Sequence, residues 1–186
     1  QKDPADGVEV AEEVLDLLRG DGLAVDVLVD LFLAINDAEV TVRLHDGDVA
    51  GLGRLLEANP GLANRWIGKQ EGGSQTPVLI AVDWPGHFPN VAQTIATLAA
   101  AGADVNVHYP PHPKDPNCRE APLHQAASSN DVAAIDALVA AGADVNAPGA
   151  IFTAGGPLSD AVIFANWEAA HRLVEHGAQV EWWQAA

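Results

Sequence analysis

The chain has 186 residues, 48% of them hydrophobic, enough for one ordinary folded unit with a continuous core. Its 9 basic and 26 acidic side chains leave a net charge of −17, which repels phosphate backbones and anionic membranes, so neither nucleic acid nor a membrane is an expected partner. Cys118 is the single cysteine and excludes an intrachain disulfide; no apolar run approaches the ~20 residues of a membrane span, and the start at Gln1 carries neither a basic n-region nor a hydrophobic h-region, so a cytoplasmic protein is expected.

The acidic residues are spread along the chain and read as solvated helix faces that favour a basic partner. From Val8 to Asn36 two amphipathic helices are predicted, broken at Gly20-Asp21-Gly22. Val14, Leu17 and Leu18 lie on the first apolar face, and Val27, Leu28, Leu31, Phe32 and Ile35 on the second. Val42 to Asn64 reads as a helix pair, with a turn at Gly47-Asp48, a second helix from Val49 to Ala58, and Pro60-Gly61-Leu62-Ala63-Asn64 closing it. Gly72-Gly73-Ser74 reads as linker. Thr76-Pro77-Val78-Leu79 opens a short helix, proline suiting a first turn where its missing N–H is not needed. Trp84-Pro85-Gly86-His87-Phe88-Pro89-Asn90 forms a turn, and a helix from Val91 to Ala101 ends at Gly102. A proline-rich segment, His108 to Cys118, then projects as a stiff loop. Ala121-Pro122-Leu123-His124 and Gly156-Pro157-Leu158-Ser159 open two further short helices. Each is followed by a longer one, Val132 to Ala141 and Trp167 to His176, with Ile135, Leu138 and Val139 at helical spacing and Trp167 expected in the core.

Gly102-Ala103-Asp104-Val105-Asn106 recurs as Gly142-Ala143-Asp144-Val145-Asn146, and in weaker form as Gly177-Ala178-Gln179-Val180-Glu181. From Pro122 to Gly142 and from Pro157 to Gly177 the distance is 20 residues; from Pro77 to Gly102 it is 25, which puts a five-residue insertion in the Trp84–Asn90 turn. These motifs resemble the ankyrin repeat, in which T-P-L-H-x-A-A, a helix and G-A-D-V-N recur every 33 residues. The best copy is Ala121 to Asn146, and the resemblance extends over about residues 38 to 186. It implies an all-α ankyrin-repeat solenoid of helix-turn-helix units. Residues 1–40 form an atypical helical N-terminal cap, and residues 41–186 about four repeats. Trp182-Trp183-Gln184-Ala185-Ala186 resembles the first turn of another inner helix, so the sequence is expected to be trimmed at both ends. A last repeat left uncovered is expected to pair with a second copy as a homodimer, to aggregate, or to have its missing tail disordered.

No nucleophile motif, phosphate loop or dinucleotide fingerprint occurs, so no catalytic residue and no cofactor is expected. His108, His112, Asp115 and Cys118 have the side chains of a metal clip, but the prolines between them hold the segment extended, and no metal is expected. His108, Tyr109, His112, Asp115 and Asn117 are instead read as loop contacts. By resemblance the concave face presents Gln125, Ser128, Ser129, Asp160, Ile163 and Phe164, and His124 holds neighbouring fingers together by hydrogen bonds, Leu79 and Ser159 standing in its place in the flanking repeats. The Trp84–Pro89 turn is read as a plug at the repeat edge rather than a ligand pocket. The expected function is non-catalytic recognition of a protein partner through the concave face and the inserted finger. The alternative is a small-molecule-binding or enzymatic ankyrin protein whose pocket is lined by Trp84, His87, His108, Tyr109 and Asp160.

Overall fold

The computed structural model describes residues 25–68, 74–110 and 119–181. The chain divides into two compact units, residues 1–39 and 40–186. Helix α1, Val25–Asp46, is continuous where the sequence reading ended one helix at Asn36 and began a repeat at Val42. Asn36 to Thr41 contains neither glycine nor proline, so nothing stops the helix there. Ile35, expected on the apolar face, is exposed. The helix predicted from Val8 to Gly20 and the terminal Trp182–Ala186 segment lie outside the described residues.

The second unit continues with α2 (Val49–Ala58), a 3-10 turn (Leu62–Asn64), α3 (Pro77–Ile80), α4 (Val91–Ala100), α5 (Pro122–Ser128), α6 (Val132–Ala140), α7 (Pro157–Ile163) and α8 (Trp167–Glu175). Among the described residues the only extended pairing is a single antiparallel bridge between Ile67 and Gln75. Pro77, Pro122 and Pro157 each occupy the first helical position, behind Thr76, Ala121 and Gly156 in extended conformation. Each longer helix ends the same way: Gly102, Gly142 and Gly177 turn left-handed, and the N–H of Ala103, Ala143 and Ala178 reaches back 2.9 Å to the carbonyl of Leu98, Leu138 and Leu173. Four residues of the five-residue excess fall between Pro77 and Val91, and the fifth lies in α4, which has 10 residues against 9 in α6 and in α8.

Helices pack on their counterparts in the next pair, α3 on α5 on α7 along one row and α2 on α4 on α6 on α8 along the other. Leu98, Ile135, Leu138 and Leu173 are fully buried between the rows, and Ala126, Ala134, Ala161 and Ala169 keep neighbouring helices close. Trp167 is not in this core. It is 58% exposed, because α8 turns Ala169, Ala170 and Leu173 inward and leaves no space there for an indole.

A ladder of carboxamides fixes the register of successive pairs. Asn64 donates from Nδ2 to the Gly102 carbonyl at 2.7 Å and accepts from the Asp104 N–H at 2.7 Å. Asn106 repeats the pattern on Gly142 (3.0 Å) and Asp144 (2.8 Å), and Asn146 on Gly177 (3.5 Å) and Gln179 (2.8 Å). One side chain thus satisfies two backbone groups left open by the next helix end. Glu181 stands where the next asparagine would be. The opposite edge is stapled too. Asn90 donates to the Gly47 carbonyl, Asn166 to those of Ala127 and Ser128, and Asn130 accepts from the Ala169 N–H.

Replacing Asn106 with alanine removes both bonds of one rung. Urea unfolding is expected to show a loss of about 1–3 kcal/mol, at roughly 1 kcal/mol per bond. A change smaller than about 0.5 kcal/mol, the scatter of ordinary surface substitutions, would show that the ladder carries no stability.

Candidate functional site at the bases of the fingers

Three fingers meet beside the N-terminal ends of α5 and α7. The first closes through the Ile67–Gln75 bridge, with reciprocal N–H to carbonyl bonds of 2.8 and 2.9 Å. The second closes where the Tyr109 N–H donates to the Glu120 carbonyl at 2.9 Å. The third, residues 147–156, is tied to the second by the Arg119 N–H, which donates to the Gly149 carbonyl at 3.1 Å. Only glycine fits at 149: its φ is +130°, and a Cβ would lie 2.3 Å from the Arg119 carbonyl oxygen. The Gln75 amide donates to the Tyr109 hydroxyl, linking the first finger to the second.

Two carboxyl groups are enclosed at this junction. Asp160, in the first turn of α7, is 0% exposed, and neither of its oxygens has a hydrogen-bond partner. Glu120, just ahead of α5, is 8% exposed; one oxygen accepts from Gln125 Nε2 at 2.9 Å and the other has no partner. Burial raises the Asp160 carboxyl to about 8, with the Glu120 charge adding to it; the Ile151 N–H moderates the rise without completing a hydrogen bond. Burial likewise raises Glu120 to about 7 against the opposing bond from Gln125. Tyr109 is raised to about 12, by burial first and then by the charges of Asp83 and Glu120, while the bond from Gln75 opposes. His124 is fully buried and neutral beside them. Its Nδ1 accepts from the Ala121 N–H at 3.1 Å, its Nε2 donates to the Gly155 carbonyl at 3.4 Å, and burial lowers it to about 4. It holds the third finger to α5 by hydrogen bonds, and no bond joins it to Asp160.

The residues singled out in the sequence fall in two places. Tyr109 and Asp160 lie at the finger junction, and so does Gln125, half-buried and held by Glu120. His108 donates from Nδ1 to the Arg119 carbonyl. Asp160 is no surface contact, contrary to the expected exposed position, because the finger 147–156 covers it. The other group lies at the far end of the inner helices: Trp84 is 79% exposed and Phe164 46%, Ile163 is exposed, and Ser128 and Ser129 are half-buried. There the His87 N–H donates to Asp131 at 2.7 Å, its ring Nε2 to the Ser129 carbonyl at 3.0 Å, and Phe88 stacks on His45 with centroids 4.6 Å apart. The close approach leaves Gly86 no space for a side chain, since a Cβ would meet that of Ser129 at 2.8 Å. His87 therefore acts as a staple between turns. The lining of the alternative pocket is divided, Trp84 and His87 standing behind the C-terminal ends of α3 and α5, and Tyr109 and Asp160 near the opposite ends of α5 and α7. His112, Asp115, Asn117 and Cys118 lie outside the described residues.

Sequence reasoning missed Glu120. It precedes the Ala121-Pro122 motif, and the only signal was an acid five residues before Gln125. Among the described residues no three His, Cys, Asp or Glu side chains form a group able to hold a metal ion, and no described helix is long and apolar enough to cross a membrane. Residues 118–147 match the family model described as ankyrin repeat. A search of curated proteins finds no match to the sequence.

The two carboxyls make a definite pH signature. In the folded chain they keep protons that the unfolded chain gives up above about pH 4, so the folded state binds more protons. Stability therefore falls as pH rises from about 4, and levels off above about 7 for Glu120 and about 8 for Asp160. His124 works in the opposite direction: kept neutral down to about 4, it adds stability as pH climbs toward its ordinary 6.5 and is silent above. Unfolding free energy by urea should therefore decline most steeply just above pH 6.5, where His124 no longer offsets the carboxyls, and level off above about pH 8. Asp160→Asn should flatten that decline, and an unchanged slope would mean that Asp160 is already ionised at neutral pH.

Proposed function

We propose that this chain, an ankyrin-repeat protein, is a non-catalytic recognition module that takes a protein partner along the face formed by its inner helices, fingers and turn-edge aromatics. Ankyrin repeats serve as protein-interaction modules, and residues 118–147 match that repeat. The observation that carries the reading is the rigid, apolar turn edge. Trp84 and Phe164 project from turns that are bonded to the Ser128-Ser129 turn between them through His87 and Asn166, and the core is complete without them. Large apolar side chains presented on a pre-organised backbone give binding energy at low entropic cost. The net charge of −17 favours a partner with basic residues around an apolar segment.

The enzymatic alternative gains no support of its own, since the side chains assigned to its pocket are divided between two ends of the inner helices. The test is to capture the partner from the source cell with the full chain and measure affinity for Trp84→Ala and Phe164→Ala. Each is expected to keep the helical circular dichroism of the parent and to weaken binding roughly tenfold or more, as truncation of an interface anchor does. If both bind as tightly as the parent, the turn edge is not the interface.

A further inference from the structure

We propose that Glu120 and Asp160 form the receptor for one guanidinium group, an arginine side chain of the partner, admitted between Tyr109 and the finger 147–156. This rests on the protein-recognition reading above and adds to it the chemistry of the partner.

The first ground is polar groups without partners. Both oxygens of Asp160 and one of Glu120 are buried with no hydrogen bond, at 0% and 8% exposure. Native chains satisfy nearly all such groups, by protein, water or a bound group, so three carboxyl oxygens left open at one junction call for a partner that the described residues do not supply. The second ground is the lack of a counter-charge among the described residues. Among the described residues, Gln125 acts on Glu120, and Glu120 and the Ile151 N–H act on Asp160; Arg119, next to Glu120 in sequence, is exposed. Two buried acids, one acting on the other through its charge, lower the stability of the fold without a cation beside them, and gain from whatever cation enters.

The donor set decides which cation. A small divalent ion prefers six or more oxygen ligands, and no described cluster of three ligating side chains stands here. A guanidinium needs no such shell. It brings five N–H donors in a plane, is more weakly hydrated than an ammonium, and pairs with carboxylates in parallel bonds. Tyr109, whose backbone N–H is bonded to Glu120, borders the junction with an aromatic ring, the surface on which guanidinium groups stack. The entrance is the third finger. It covers Asp160 with Phe152 and Ala154 at φ +68° and +55°, a left-handed conformation that costs residues with a side chain, and Phe152 at its tip is 78% exposed. The cover is tied near its two ends, by the Arg119 N–H on Gly149 and His124 on Gly155, and an incoming side chain need displace only the stretch between them.

The full chain is titrated with N-acetyl-argininamide, with the neutral isostere N-acetyl-citrullinamide, and with calcium and magnesium chloride, following the Ile151 amide and Asp160 carboxyl by NMR together with the melting temperature. Argininamide should shift both signals saturably and raise the melting temperature, citrullinamide should do neither, and the affinity should rise from about pH 6 to 8 as the carboxyls release protons. Asp160→Asn and Glu120→Gln should each weaken argininamide roughly tenfold or more. Asp160→Asn should itself melt higher than the parent at pH 8, which also verifies that it folds. The proposal is overturned if citrullinamide acts equally, if calcium or magnesium saturates the same signals in place of argininamide, if no probe shifts them, or if Asp160→Asn melts lower at pH 8. Once a partner is in hand, an affinity that depends on Phe164 but ignores Asp160→Asn removes the arginine receptor and leaves the recognition reading standing; indifference to both removes both.

Discussion

A pair of helices of seven and nine residues hides too little apolar surface to stand alone, so each pair exists only by lying against the next in one register. The carboxamides of Asn64, Asn106 and Asn146 impose that register. Each spans from the glycine carbonyl at the end of one long helix to the N–H two residues beyond, a geometry that a helix displaced by one residue cannot offer. The aspartates at 104 and 144 complete the finger, each accepting from the N–H of the asparagine that follows it by two. A five-residue motif thus encodes a helix stop, a finger turn and the next rung.

At the opposite edge the same task falls to unrelated side chains. Asn90, His87, Asn166 and Asn130 all reach backbone groups of an adjoining turn or helix end, although they occupy no common motif. Asp131 serves twice, capping α6 through the Ala134 N–H and receiving the His87 N–H from the preceding turn. With both edges fastened the intervening backbone has little freedom, and the exposed aromatics stand on fixed supports.

The periodic part of this architecture could be read in the sequence. The outer helices begin at Val91, Val132 and Trp167 as predicted and end one residue short of the predicted limits, since the pattern of leucines, alanines and glycines is local and repeats. What escaped is what depends on contacts between repeats. An aspartate at the position where the preceding repeat has the half-exposed Gln125 reads as a surface group. Its burial follows from the path of residues 147–156, which turns on Gly149 and on two left-handed residues, Phe152 and Ala154, that no helical or strand propensity favours. Trp167 was misplaced for a related reason. A tryptophan opening an apolar helix reads as core, but the space available is set by the facing α6, where Ala134 and Ile135 admit alanines and not an indole.

The two departures from regular repeat chemistry have opposite energetic characters. Where the turn after α3 is lengthened, His87 bonds to Ser129 and Asp131 and Asn90 to Gly47, so the insertion strengthens the stack and leaves Trp84 as its exposed large apolar residue. Where the finger after α6 departs from the motif, it closes over two acids and leaves three of their oxygens unbonded. Burying an unpaired carboxyl works against folding by more than a finger of ten residues with little core returns, so that arrangement is not explained by stability. The energetic cost is concentrated on one face, at the junction of three fingers, and that concentration separates a site from a structural irregularity.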